Sequence, residues 1–175
     1  MYKRQIYLIA GEGAGIRLAA TLGAPAVAPS RVVVNELTTT ATGYAFAQFI
    51  GGRRITGPSP GPRNAALMAR NLVNPQTGEL GGVIRNQHNG NSTSTLQTFN
   101  SVANMLPRCA RSATRCKRLF QNALTHNGRR PKGTLQAVAN IAGNPWQNVN
   151  RLFKLSSTDP APYGCLLYTS PSPRD

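Results

Sequence analysis

The sequence predicts an all-α fold: about six short helices in a compact array, with one short strand fragment at the front. Three observations carry this. Apolar residues recur at spacings of three and four in successive stretches. Those stretches are punctuated as helices are, by Asn, Ser or Thr before them and by Gly or Asn-Pro after several of them. No fixed period of 20 to 50 residues recurs, which argues against a repeat array.

The elements follow in order. Ile6–Ala10 is a short apolar run ending at Gly11 and reads as a strand, the end of a preceding domain. Residues 11–15 are glycine-rich but lack the G-x-G-x-x-G spacing and the lysine of a phosphate-binding loop. Ile16–Leu22 reads as one or two helical turns. Asn35 is a good N-cap and Glu36 suits a helix N-terminus, so a helix is expected from Glu36 to Ile50, ended by Gly51-Gly52. Thr38, Thr39 and Thr40 are poor helix formers, so packing must hold this helix and it should be buried. A second helix is expected over Asn64–Val73, with Ala65, Met68, Ala69 and Leu72 on one face. Thr77-Gly78 is a turn, Leu80–Ile84 a short strand and Arg85–Ser92 a polar loop. Ser94 or Thr95 caps a third helix with a stripe of Leu96, Phe99, Val102, Ala103 and Leu106; Pro107 tightens or ends it. Ser112 or Thr114 opens a fourth through Leu124, with Cys116, Leu119, Phe120 and Ala123 inward. Thr134 caps a fifth, with Leu135, Val138 and Ala139 buried and Gly143 at its end. Asn144-Pro145 signals the start of a sixth, whose apolar face is Trp146, Val149, Leu152 and Phe153. The helical domain thus covers 16–158, and 159–164 reads as an extended linker.

The two ends read differently. Residues 1–5 (MYKRQ) and 165–175 (CLLYTSPSPRD) resemble translated sequencing adapter from opposite strands, and the expectation is that both are artefacts to be set aside. The whole chain carries 20 Lys and Arg against 5 Asp and Glu, a formal charge of +15. Without the ends, 17 basic and 4 acidic residues remain, and 14 of the 17 are Arg. Such an excess points towards a polyanion, whereas Arg over Lys also follows from a GC-rich genome. No apolar run approaches the roughly 20 residues a membrane helix needs.

Chemistry-bearing residues are sparse. Glu12, Glu36, Glu79 and Asp159 are far apart in sequence, so no paired-carboxylate site is expected. His88 and His126 lie in polar loops, and G-x-S-x-G is absent. No catalytic, cofactor-binding or metal site is expected. Cys109 and Cys116, seven apart, fit one disulfide in an exported protein or two reduced thiols in a cytosolic one. Arg111, Arg115 and Arg118 would share a helical face if one helix ran through them. With Arg129, Arg130 and Lys132 they form the candidate polyanion-binding set. Aromatic residues are not interleaved with them, so base stacking is not suggested.

A set of ordered motifs resembles a known family. Asn35-Glu36-Leu37-Thr38-Thr39 and the helix after it, Asn64-Ala65 through Asn71-Leu72-Val73, and Thr77-Gly78 come first. Thr98–Leu106, Cys109 and Cys116 with Leu119-Phe120, Thr134–Ala142, Asn144-Pro145 and Leu152-Phe153 follow. Together they resemble the helical region of large, exported, uncharacterised bacterial proteins bearing NHL-repeat β-propellers of the streptogramin-lyase-like kind. The resemblance covers nearly all of 6–164. It implies export to the cell envelope or beyond, a Cys109–Cys116 disulfide, and a C-terminal β-propeller of the same parent chain as partner. It does not carry lyase activity to this chain, which holds no propeller residue. The expected function is a non-catalytic spacer or interaction module of such a protein. The alternatives are a basic module binding nucleic acid or another polyanion, with a cytoplasmic location, and an enzyme fragment whose active site lies outside this chain.

Overall fold

Ile6–Ala10 forms a strand, β1, but its partner is the segment expected to be helical: Leu18–Gly23 is a second strand, β2, paired with β1 antiparallel. This computed structural model describes residues 5–11, 15–51, 54–86, 88–157 and 161–164. Its described residues are mainly helical, with two small two-stranded sheets.

The reason β2 is a strand lies outside its own sequence. One edge pairs with β1. Along the other, threonine hydroxyls from two helices stand where a third strand would. Thr134 Oγ1 accepts from Arg17 N–H at 2.8 Å and donates to Arg17 C=O at 2.6 Å. Thr39 Oγ1 accepts from Ala19 N–H at 2.9 Å, and Thr21 and Thr42 hydroxyls meet at 3.0 Å. Residues 17 and 19 share one edge, as the two-residue period of a strand requires, whereas the Thr21–Thr42 contact joins two side chains. Buried backbone N–H groups must find acceptors, and here side chains supply them.

Helix α1 (Glu36–Ala45) is the centre of the fold and packs against β2 and three other helices. Its start is as expected: Asn35 Oδ1 accepts from Thr38 N–H at 2.9 Å, and Thr38 Oγ1 accepts from Asn35 N–H at 2.9 Å, a reciprocal cap. Its threonines are buried, also as expected. The helix ends five residues early, at Ala45. Phe46 is wholly buried, and the chain turns there into β3 (Ile50–Gly51), paired with β4 (Arg54–Ile55). Gly51 therefore lies in a strand, and Gly52 falls outside the described residues.

Helix α2 (Gly61–Leu72) buries Ala65, Ala66 and Ala69 but leaves Met68 47% exposed, correcting the expected face. These alanines pack in one cluster with Ala45 of α1 and with Phe46. Val73 and Leu80 form a single bridge instead of a strand, closed by the Thr77-Gly78 turn in which Gly78 has φ +73°. A one-turn helix α3 (Gly82–Arg85) follows, and His88–Ser92 is a π-turn.

Helix α4 (Thr95–Arg111) runs through Pro107 without ending. A proline removes one N–H bond from a helix, and the burial of Leu106, Arg108 and Cys109 around it holds the last turn in place. Ser112, extended at φ −150° and ψ 115°, then turns the chain into α5 (Ala113–Asn122), and its hydroxyl accepts from Arg115 N–H at 3.4 Å.

In α6 (Thr134–Gly143) the expected stripe of Leu135, Val138 and Ala139 is buried. Thr134 does not cap it. It is the first residue of the helix, and its hydroxyl is committed to Arg17. The helix start expected at Asn144-Pro145 is also corrected. Those residues form a turn, and α7 spans Val149–Ser156. Asn148 takes a left-handed conformation (φ 56°) while its Nδ2 donates to Asn122 C=O at 3.0 Å, which breaks any helix running from Pro145. Trp146, expected in the core, is 63% exposed.

Ala161–Gly164 lies against α4. Asn104 reads both backbone groups of Tyr163, accepting from its N–H at 3.0 Å and donating to its C=O at 2.9 Å. The termini expected to be adapter, residues 1–5 and 165–175, lie outside the described residues except Gln5.

Candidate basic cleft

The turn at Ser112 decides how the cationic residues are distributed. With the helix broken there, Arg111 ends α4, and the face of α5 that meets it is set by spacing from Ala113: Cys116, Lys117, Phe120 and Gln121. Arg115 and Arg118 are exposed and outside that face, so the three-arginine stripe expected from one continuous helix does not form.

The corner between α4 and α5 opens into a cleft of about 480 Å³. Ile16, Phe120, Pro131 and the two cysteines supply its apolar walls; Arg111, Lys117 and Arg130 supply its charge. Of the six expected polyanion-binding residues, the cleft thus gathers Arg111 and Arg130. Arg129 and Lys132 flank it on the same loop, exposed but outside its lining. No described carboxylate lines it: Glu36 and Glu79 lie on α1 and in the turn after Gly78.

The loop carrying Arg130 is tied at both ends. Thr125 Oγ1 accepts from Arg129 N–H at 3.0 Å, and Thr125 N–H donates to Arg129 C=O at 3.0 Å. Lys132 N–H donates to Gln136 Oε1 at 2.9 Å. The opposite wall is equally fixed. Cys109 and Cys116 are buried at 3% and 4% exposure with their sulfurs at disulfide distance, 1.95 Å.

Sequence reasoning missed Lys117 and Phe120 as site residues. Their signal was present in the spacing of Ala113, Cys116, Lys117, Phe120 and Gln121, but it points to a site only once Ser112 is known to break the helix. Phe120 is near these arginines in sequence, but it is the break at Ser112 that sets its ring and Arg111 in one cleft.

Two tyrosines elsewhere are perturbed. Burial pushes the Tyr44 hydroxyl up to about 12. The Tyr163 hydroxyl is raised further, by burial first and then by its hydrogen bond to, and the charge of, Glu36.

Among the described residues no helix is long and apolar enough to cross a membrane, and no group of three His, Cys, Asp or Glu comes together. Comparison with protein-family models, with curated proteins and with solved structures returned no match for this chain.

Proposed function

We propose that this chain is a helical interaction module whose contact site is the basic cleft at the α4–α5 corner, and that the cleft takes an anionic group of its partner. The observation that supports this reading is the convergence of Arg111, Lys117 and Arg130 on one cleft, with no carboxylate among its described lining residues. Guanidinium groups at a partly apolar, concave site attract phosphate or carboxylate more strongly than isolated surface cations do.

Binding of labelled oligothymidine, followed by anisotropy against salt, tests it. Three phosphate contacts give a slope of log K against log salt of about −2 for a single strand. Arg111→Ala with Arg130→Ala should flatten that slope to about −0.7, the value for the one remaining contact. Arg115→Ala with Arg118→Ala should leave it nearly unchanged. Equal losses from the two pairs would mean diffuse charge, not a cleft.

A second reading is supported by the cysteines. A buried pair at disulfide distance suits an exported protein, and with it the proposed NHL-bearing parent and its β-propeller. In that setting the module is a non-catalytic platform beside the propeller. A free-thiol count after folding without reductant tests it. No reactive thiol at Cys109 or Cys116 is expected, and two would remove the support for export.

A further inference from the structure

We infer that the face of α4 carrying Asn100 and Asn104 is a receptor groove for an extended, tyrosine-bearing peptide, filled in this structure by the chain's own Ala161–Gly164. The contacts divide as peptide recognition divides, with backbone bonds for affinity and a side-chain slot for specificity. Asn104, wholly buried, pairs with both the N–H and the C=O of Tyr163. One helical turn away, Asn100 Nδ2 donates to Gly164 C=O at 2.7 Å. Neither asparagine reads a side chain, so both accept any extended backbone.

The slot is selective. The Tyr163 ring packs against the buried cluster that includes Leu37 and Phe99, and its hydroxyl donates to Glu36 Oε2 at 2.8 Å. A phenylalanine would fill the slot and leave the carboxylate without that donor.

The groove also has capacity that the described part of its present occupant, residues 161–164, does not use. Among the described residues Asn100 Oδ1 is buried and without a hydrogen-bond partner, on a residue only 4% exposed. Buried acceptors left unpaired are uncommon and costly. An extended peptide running past Asn100 supplies the N–H its carbonyl lacks. This groove shares no lining residue with the basic cleft, so the two proposals stand or fall separately.

The test uses the full chain with Tyr163→Ala, which empties the slot, titrated with acetyl-Ala-Pro-Tyr-Gly-Ala-Ala-amide and followed by the side-chain amide resonances of Asn100 and Asn104. Saturable shifts are expected, with affinity at least about tenfold lower for the peptide carrying Phe in place of Tyr. The unsubstituted chain should bind more weakly than Tyr163→Ala, because its own segment competes. Adding Asn104→Ala should abolish binding; if that variant does not fold, Asn104→Asp keeps the acceptor, loses the donor and should weaken it. Should Tyr163→Ala fail to fold, Tyr163→Phe keeps the ring in place and loosens the segment. Absence of saturable shifts, or binding indifferent to residue 104, overturns the proposal.

Discussion

Gly43 gives the sharpest test of the packing, because local and tertiary considerations predict opposite signs. It lies inside α1, where glycine is a poor helix residue, and replacement by alanine alone should stabilise the helix by about 1 kcal/mol. In the fold, α1 and α6 touch at this point. A Cβ on residue 43 would stand 2.7 Å from Val138 Cβ, closer still to Val138 Cγ1, and 3.4 Å from Ala139 N. Ordinary contact would require the helices to part by about 1 Å, and interiors resist that. Val138 is wholly buried, and on its other side α1 is held to β2 through Thr39 and Thr42. Overpacking costs about 1–3 kcal/mol, and the confinement places Gly43→Ala near the upper end. The net expectation is a loss of about 2 kcal/mol, or about 4–8 °C in Tm for a chain of this size. Urea denaturation and a thermal melt measure it. Val138→Ala in the same background should restore part of the loss, with a favourable coupling of about 1–2 kcal/mol in the double-mutant cycle. A Gly43→Ala variant as stable as the parent, or more so, would refute the α1–α6 contact.

Thr39→Val keeps the shape and removes the acceptor of the buried Ala19 N–H; a loss of about 1–3 kcal/mol by chemical denaturation is expected, and a neutral result would mean that the helix does not complete the strand edge. Asn35→Ala removes the cap of α1 and the bond from its Nδ2 to Gly78 C=O, so stability should fall by about 1–2 kcal/mol, whereas Asn35→Asp keeps the cap and should recover about half of it. Tyr44 has a folded value of about 12 against 10 when free. The folded chain keeps a proton that the unfolded chain releases above pH 10. The stability involved is complete below pH 10 and lost as pH rises towards 12. Ultraviolet difference titration of Tyr44→Phe against the parent should remove one late-titrating phenol; titration of all tyrosines near 10 would contradict the burial.

The amphipathic stripes were legible in the sequence because a helix with one apolar face repeats its pattern every three or four residues. Phe99, Val102, Ala103 and Leu106 are buried on α4, and Leu135, Val138 and Ala139 on α6, as their spacing requires. The Asn35 cap was legible too, since its partner is three residues away. What depends on distant partners was not. Leu18–Gly23 has little that marks it as a strand, and it becomes one through β1 on one side and threonine hydroxyls on the other. Thr134 has the chemistry of a helix cap, yet its hydroxyl goes to Arg17, 117 positions away. Pro145 starts no helix because Asn148 is pinned to Asn122.

The candidate site divides in the same way. Its charges and its cysteine pair are local facts, plain in the composition and spacing. Which charges meet is decided by the break at Ser112, which puts Arg111 beside Lys117, Phe120 and Arg130 and leaves Arg115 and Arg118 outside. The sequence by itself determined the helix faces and the excess of positive charge, because both are written in residues near one another. The edge of β2, the cleft and the Asn104 clamp were decided by tertiary structure alone, because each depends on a backbone group finding its partner, or a charge its neighbours, across a distance that no local pattern records.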